Sequence, residues 1–166
     1  EILLDMTGLQ TVERSDTISL AALTEEVFCD LDPVAEKHQI RLIQTEGDCT
    51  VTGSYILLYR AVYNLVENAI KYNRPSGSVT VNIHSAESAV LEVTDTGIGI
   101  SPENQEKIFD PFYRVDKSRS RAMGGAGLGL ALVSEIARQH NGQVKVTQSS
   151  EKGSTIALIL PKSTDY

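Results

Sequence analysis

Four stretches of this sequence group residue types that could hold an anion and a hard cation together. Asn64, Asn68 and Lys71 stand at i, i+4 and i+7, so on a helix they share one face, with Tyr72 beside them. Two carboxamides can offer an oxygen ligand to Mg²⁺, and the ammonium can face a phosphate. Taken alone, the same row is also the polar side that any amphipathic helix turns to water. In TDTGIGISPENQEKIF, Asp95 ends a strand, Gly97 and Gly99 permit a sharp turn, and Ser101 with Pro102 suits a helix cap and first position. Those residue types are equally ordinary in a strand-to-helix turn. Arg114, Lys117, Arg119 and Arg121 then crowd into FDPFYRVDKSRSRAMGG, a non-periodic basic connection that reads as a lid over something anionic or as a solvated loop. Finally, GGAGLGLALV (124–133) sets Gly125, Gly127 and Gly129 before a helix-like run, where backbone N–H groups can approach a phosphate. No Lys-Ser or Lys-Thr follows, so this is not the common P-loop, and no ribose-reading acid stands at the spacing of a dinucleotide fold.

The elements that must position these residues follow from periodicity. SYILLYRAVYNLVENAIKYN is a long helix whose core stripe is Leu58, Val62, Leu65, Val66 and Ala69, with the Asn64/Asn68/Lys71 row on another face. ISLAALTEEVFCDLDPVAEKHQ and LALVSEIARQH have helical periodicity as well. RLIQTE and CTVTG read as short strands, SVTVNIHS with AVLEVTDT as a hairpin, and QVKVTQSS with STIALILP as a closing pair. Helices mixed with hairpins predict an α+β fold, a two-layer sandwich with a mostly antiparallel sheet covered by helices. EILLDMTGLQTVE reads as the end of a preceding amphipathic helix and ERSDT as a polar joint. The expected division is therefore residues 1–14 as helix end and linker and 15–166 as one domain.

Composition narrows the class. A chain of 166 residues with 41% hydrophobic residues can bury one ordinary core. Its net charge of −7 and pI near 4.9 argue against a general binder of nucleic acid or anionic membrane, so an anion site must be local. Cys29 and Cys49 lack metal-ligand spacing and fit a reduced, cytoplasmic setting. The longest apolar run, near IALIL, is far below the ~20 residues a spanning helix needs.

In order, NLVENAIKY (64–72), DTGIGI (95–100), FDPFYRVD (109–116) and GGAGLGLALV (124–133) resemble the N, G1, F and G2 boxes of the ATP-binding catalytic domain of sensor histidine kinases. The likeness runs over roughly residues 17–162 and implies the Bergerat sandwich. It also implies Mg²⁺ and ATP as cofactors. Asn68 then resembles the principal metal ligand, with Asn64 at the metal shell or its water, and Lys71 resembles a phosphate partner. Tyr72 would lie along base or sugar, and Asp95 would accept the adenine exocyclic N–H, with Gly97 and Gly99 letting the backbone pass close. Arg114 resembles the arginine that reaches the γ-phosphate, Phe109 and Phe112 resemble lid anchors or core residues, and Gly125, Gly127, Leu128 and Gly129 would border the phosphates. Ser154 or Thr155 would approach the adenine edge, and Glu67 is at most a helper. Ala126 stands where relatives often carry a hydroxyl, so one contact is missing from the pattern.

The same likeness implies transfer of the γ-phosphoryl to a histidine in a separate dimerisation domain, in a homodimer, and relay to an aspartate of a response regulator. It implies a cytoplasmic domain of an inner-membrane sensor, with no direct membrane contact and no nucleic acid. His38, His84 and His140 lack the His-Glu or His-Asp setting of a phosphoacceptor, so the acceptor is expected elsewhere. Two other readings stand beside it. One is an ATPase of the wider superfamily, disfavoured because Asn64 occupies the place of its usual glutamate base. The other is a degenerate module that binds nucleotide without transferring phosphate.

Overall fold

The structure is a computed structural model that describes residues 16–111 and 129–163. Its strands are β1 (Asp16–Ser19), β2 (Arg41–Gln44), β3 (Thr50–Gly53), β4 (Ser78–Ser85), β5 (Ala89–Asp95), β6 (Gln143–Ser150) and β7 (Gly153–Leu160), and its helices are α1 (Leu20–Lys37), α2 (Tyr55–Lys71) and α3 (Gly129–Gln139). Five strands form one sheet in the order β2-β4-β5-β7-β6, with β2 parallel to β4 and the other neighbours antiparallel. The expected mixed, mostly antiparallel sheet is what the chain forms. Alternation along β4 and β5 sends Val79, Val81, Ile83, Ala89, Leu91 and Val93 into the core, where they meet the buried stripes of the helices.

Helix α2 shows why its polar face is so well defined. Leu57, Leu58, Ala61, Val62, Leu65, Val66, Ala69 and Ile70 are buried, the expected stripe and its neighbours. Each large aliphatic side chain contributes roughly 1.5–3 kcal/mol by leaving water, which locks the rotation of the helix about its axis. Asn64, Asn68 and Lys71 are thereby held at the rim of the core, half-buried. Ser54 caps the N-terminus by accepting from Leu57 N–H at 3.3 Å. His140, buried at the end of α3, accepts a hydrogen bond from Ser54 N–H on Nε2 at 3.1 Å and donates from Nδ1 to Ile136 O at 2.8 Å. This pairing orients the imidazole ring and joins the last turn of α3 to the first of α2.

Two local expectations are corrected. Asp16–Ser19, expected to be a joint running into helix, forms β1 and pairs antiparallel with β3, Ile18 opposite Val51. β-Branched Thr17 and Ile18 fit a ladder, and the helix begins only after Ser19, whose Oγ accepts from Ala22 N–H. Ser101 and Pro102 open a short 3₁₀ turn, Pro102–Asn104, instead of an α-helix, and the Ser101 hydroxyl accepts from the Asn104 side chain at 2.8 Å. A second such turn, Lys107–Phe109, buries Ile108 and packs Phe109 against the core.

Candidate functional site

The site runs along the C-terminal half of α2, from Asn64, which abuts the N-terminus of α3, to Tyr72, which abuts the turn after β5. Gly129, the first residue of α3, sits so close to α2 that a Cβ there would lie 3.0 Å from Asn64 Oδ1. Asn64 also donates from Nδ2 to Arg60 O at 2.8 Å, which points its oxygen toward the start of α3. The positive end of the helix dipole is thus beside Asn64, the first residue of the row that continues to Asn68 and Lys71, an arrangement suited to an anion. Lys71 stands 3.7 Å from Glu67, one turn back on the same helix, and both are about a quarter exposed, so the pair is solvent-screened and weak.

Asp95 ends β5 with its carboxylate half-buried and its register partner on β7 is Ser154. Oδ1 accepts from Gly97 N–H at 2.9 Å and from Ser154 N–H at 3.2 Å, and Oδ2 accepts from the Ser154 hydroxyl at 3.0 Å. Burial pushes its pKa above the usual carboxylate range, and the hydrogen bonds from Gly97 and Ser154 offset only part of this. A carboxylate held in place and short of water is primed for one further donor, such as the exocyclic amine of a base.

The turn after Asp95 depends on two glycines. Gly99 has φ +82°, and a Cβ there would fall 2.0 Å from Ser150 O. A Cβ on Gly97 would fall 2.6 Å from Tyr72 O, so the turn rests directly on the end of α2. The next residue, Ile100, is tied down by donation from its N–H to Ser149 Oγ at 2.6 Å. Gly99→Ala is expected to cost about 1–3 kcal/mol from the backbone conformation alone, with the clash in addition, read as a lowered urea midpoint.

Residues 53–164 match the family of histidine kinase-, DNA gyrase B- and HSP90-like ATPases. The chain belongs to this family. Within it, the chain is an ATP-binding catalytic domain of the sensor histidine kinase type. It is 37% identical over 169 residues to the sensor-like histidine kinase SenX3 of Mycolicibacterium smegmatis, covering 98% of this chain and 44% of the relative. It is 42% identical over 140 residues to the sensor histidine kinase RppB of Synechocystis, covering 84% of this chain and 30% of the relative. The chain therefore spans less than half the length of these curated relatives. Among solved structures, the mycobacterial sensor histidine kinase MprB superposes with a TM-score of 0.75 at 29% identity, covering 91% of this chain and 99% of that one.

Against the family pattern, the structure brings Asn64, Asn68, Lys71, Tyr72, Asp95, Gly97, Gly99 and Gly129 to one end of the domain. Phe112, Arg114, Lys117, Arg119, Arg121, Gly125, Ala126, Gly127 and Leu128 lie outside the described residues. The two hydroxyl candidates separate: Ser154 faces Asp95, whereas Thr155 is on the opposite face of the sheet, its hydroxyl 2.9 Å from that of Thr94. Strand alternation sends adjacent side chains to opposite faces, so only one of them can share the face of Asp95. Ser149, which carries no motif in the sequence, fixes the turn from β6, two strands away from β5 in the sheet. Its only signal is a polar residue near a strand end. Two concavities of about 430 and 530 Å³ lie around Asn141 and Leu160–Ser163, at the far end of β7 from Ser154, and none of the site residues lines them.

Proposed function

We propose that this domain binds Mg-ATP and passes the γ-phosphoryl group to a histidine on a separate helical dimerisation domain, for relay to the aspartate of a response regulator. The observation that carries the reading is the placement of Asp95, a half-buried carboxylate with an orienting shell, at the same end of the domain as the Asn64/Asn68/Lys71 row and the N-terminus of α3. Asp95 would take the exocyclic N–H of adenine, with Gly97 and Gly99 letting the backbone approach the base and Tyr72 alongside it.

The donor set fits the metal. Among the described residues no group of three or more His, Cys, Asp and Glu stands close enough to hold an ion. Mg²⁺ accepts one or two protein oxygens when substrate phosphates and waters supply the rest, so the Asn68 carboxamide, with Asn64 at its shell, suffices. When bound, the ion neutralises charge on the phosphates. Lys71, Arg114 and the backbone around Gly125, Gly127, Leu128 and Gly129 would add fixed positive potential there. Phe112 would anchor the lid. The absence of a glutamate at position 64 supports phosphoryl transfer to a protein over transfer to water, since a carboxamide cannot take a proton from water.

The three histidines are poor acceptors in this setting. His140 is buried with both ring nitrogens engaged, His84 is exposed on β4 and lies 3.6 Å from Glu92, and His38 caps the end of α1. No helix among the described residues is long and apolar enough to cross a membrane, consistent with a catalytic domain that reaches a membrane sensor, a homodimer in its full form, only through other segments.

Calorimetric titration with ADP and a non-hydrolysable ATP analogue, with and without Mg²⁺ and with GTP for comparison, tests the reading. Saturable, Mg²⁺-sensitive binding of adenine nucleotides and none of GTP is the expected result, and absence of binding overturns it. In parallel, incubation with γ-labelled ATP is expected to leave this chain unlabelled, and acid-labile label on His38, His84 or His140 would contradict the assignment of the acceptor to another domain.

A further inference from the structure

The residue just beyond the metal-and-phosphate helix has no part in the reading above. Asn73 follows Tyr72, the C-cap of α2, and is only 8% exposed. Its Nδ2 donates to Ser78 O at 2.9 Å, and its Oδ1 accepts from Arg74 N–H at 2.8 Å and from the Thr96 hydroxyl at 2.8 Å. Thr96 Oγ1 in turn accepts from Ser78 N–H at 2.9 Å. Arg74 N–H can only donate, so the carboxamide oxygen must face it. Ser78 N–H can only donate, so Thr96 Oγ1 accepts there, and its own proton goes to the nearer of two acceptors, Asn73 Oδ1 at 2.8 Å with Ser78 O at 3.5 Å.

The result is a closed network across three segments: the end of α2, the start of β4 and the turn that follows Asp95. It is close-packed from below and beside. A Cβ on Gly77 would fall 2.3 Å from Thr96 Oγ1 and 2.5 Å from Asn73 Oδ1, as the Cβ on Gly97 would meet Tyr72 O. The last turn of a helix, short of hydrogen-bond partners, is where its backbone ordinarily frays. Here that turn carries Asn68, Lys71 and Tyr72, and the segment opposite carries Asp95 and Gly97.

We propose that Asn73 and Thr96 are positioning residues, a clamp that sets the separation between the phosphate-and-metal end of α2 and the base-reading turn after β5. The proposal rests on the nucleotide reading and deepens it. Neither side chain touches the nucleotide; Asn73 acts through Tyr72, and Thr96 acts through Gly97. A ligand that bridges both halves depends on their spacing, whereas a ligand that engages one half does not.

Thr96→Val keeps the shape and removes the hydroxyl, and because Thr96 is an exposed residue the variant is expected to fold. The Mg²⁺ complex of a non-hydrolysable ATP analogue should bind about tenfold more weakly to it, while Thr96→Ser, which restores the hydroxyl, stays within about twofold of the parent. Asn73→Ala combined with Thr96→Val should lose no more analogue affinity than the worse single variant, since both open one network. Undiminished analogue binding by Thr96→Val, or an equal loss in Thr96→Ser, overturns the clamp.

A second measurement does not need nucleotide. Amide hydrogen exchange at Arg74 and Ser78 in the free protein should accelerate about tenfold in Thr96→Val, as expected when the hydroxyl that accepts from Ser78 N–H and donates to Asn73 is lost from the network. If the unaltered chain binds no nucleotide, the parent reading fails while exchange still decides the clamp. Unchanged exchange at both amides overturns it.

Discussion

Asp95→Asn is expected to weaken adenine-nucleotide binding by about a hundredfold or more, because a buried polar site rejects a ligand whose donor meets another donor. The substitution is close to isosteric, and the surrounding geometry says how it would settle. Asn Oδ1 can keep both N–H donors, Gly97 at 2.9 Å and Ser154 at 3.2 Å, while its Nδ2 donates to the Ser154 hydroxyl now 3.0 Å from Oδ2. The carboxamide nitrogen then takes the place of the oxygen offered to the base. Loss of binding therefore comes without loss of fold.

Stability should move the other way. Burial raises the pKa of Asp95 in the folded protein, so the folded form binds its proton more tightly than the unfolded chain. Stability from this group is complete below the unfolded carboxylate value of 3.8 and declines as pH rises through the elevated folded value. The asparagine variant has no such decline. Its stability relative to the parent should grow between those two values and stay level above them, measured by urea unfolding across pH. A variant that loses stability at neutral pH would mean that the ionised carboxylate is a net structural asset, and the base-reading assignment would lose its physical motive.

Asn68→Ala should remove the Mg²⁺ dependence of nucleotide affinity. With one protein oxygen lost from a cation that takes most of its ligands from phosphate and water, the affinity of the magnesium complex should fall by about ten- to a hundredfold. The residue is at the rim of the core with its neighbours Leu65 and Ala69 buried beneath it, so unfolding is expected to shift by no more than ~1 kcal/mol. Titration of the ATP analogue with and without Mg²⁺ reads the effect directly. Equal affinities in the two conditions support the metal role, whereas undiminished magnesium enhancement refutes it.

The parts of this site that are legible in sequence are those written in local periodicity. A 3.6-residue repeat separates the buried stripe of α2 from the Asn64/Asn68/Lys71 row without reference to the rest of the chain, because helix geometry alone puts those residues on one face. Asp95 is similarly legible, as the end of an alternating run broken by Gly97 and Gly99. The strand β1 is not, because its four residues gain their hydrogen bonds from β3, more than thirty positions along, and nothing local announces that partner.

Ser154 and Thr155 mark the boundary most clearly. As adjacent hydroxyls in one strand they are equivalent candidates by type, and only the β5–β7 register, Asp95 opposite Ser154, assigns the contact. Asn73 and Thr96 belong to the same class. Neither has a distinctive residue type or spacing, and their meaning arises when α2, β4 and the turn after β5 converge. The sequence by itself determined the helix face, the glycine turn, the mixed α+β make-up and the family, since each is carried by near neighbours in the chain. The tertiary structure alone decided which residue meets Asp95 and how the two halves of the site are held together, because hydrogen bonds between distant segments exist only once strand register and packing have set their distance.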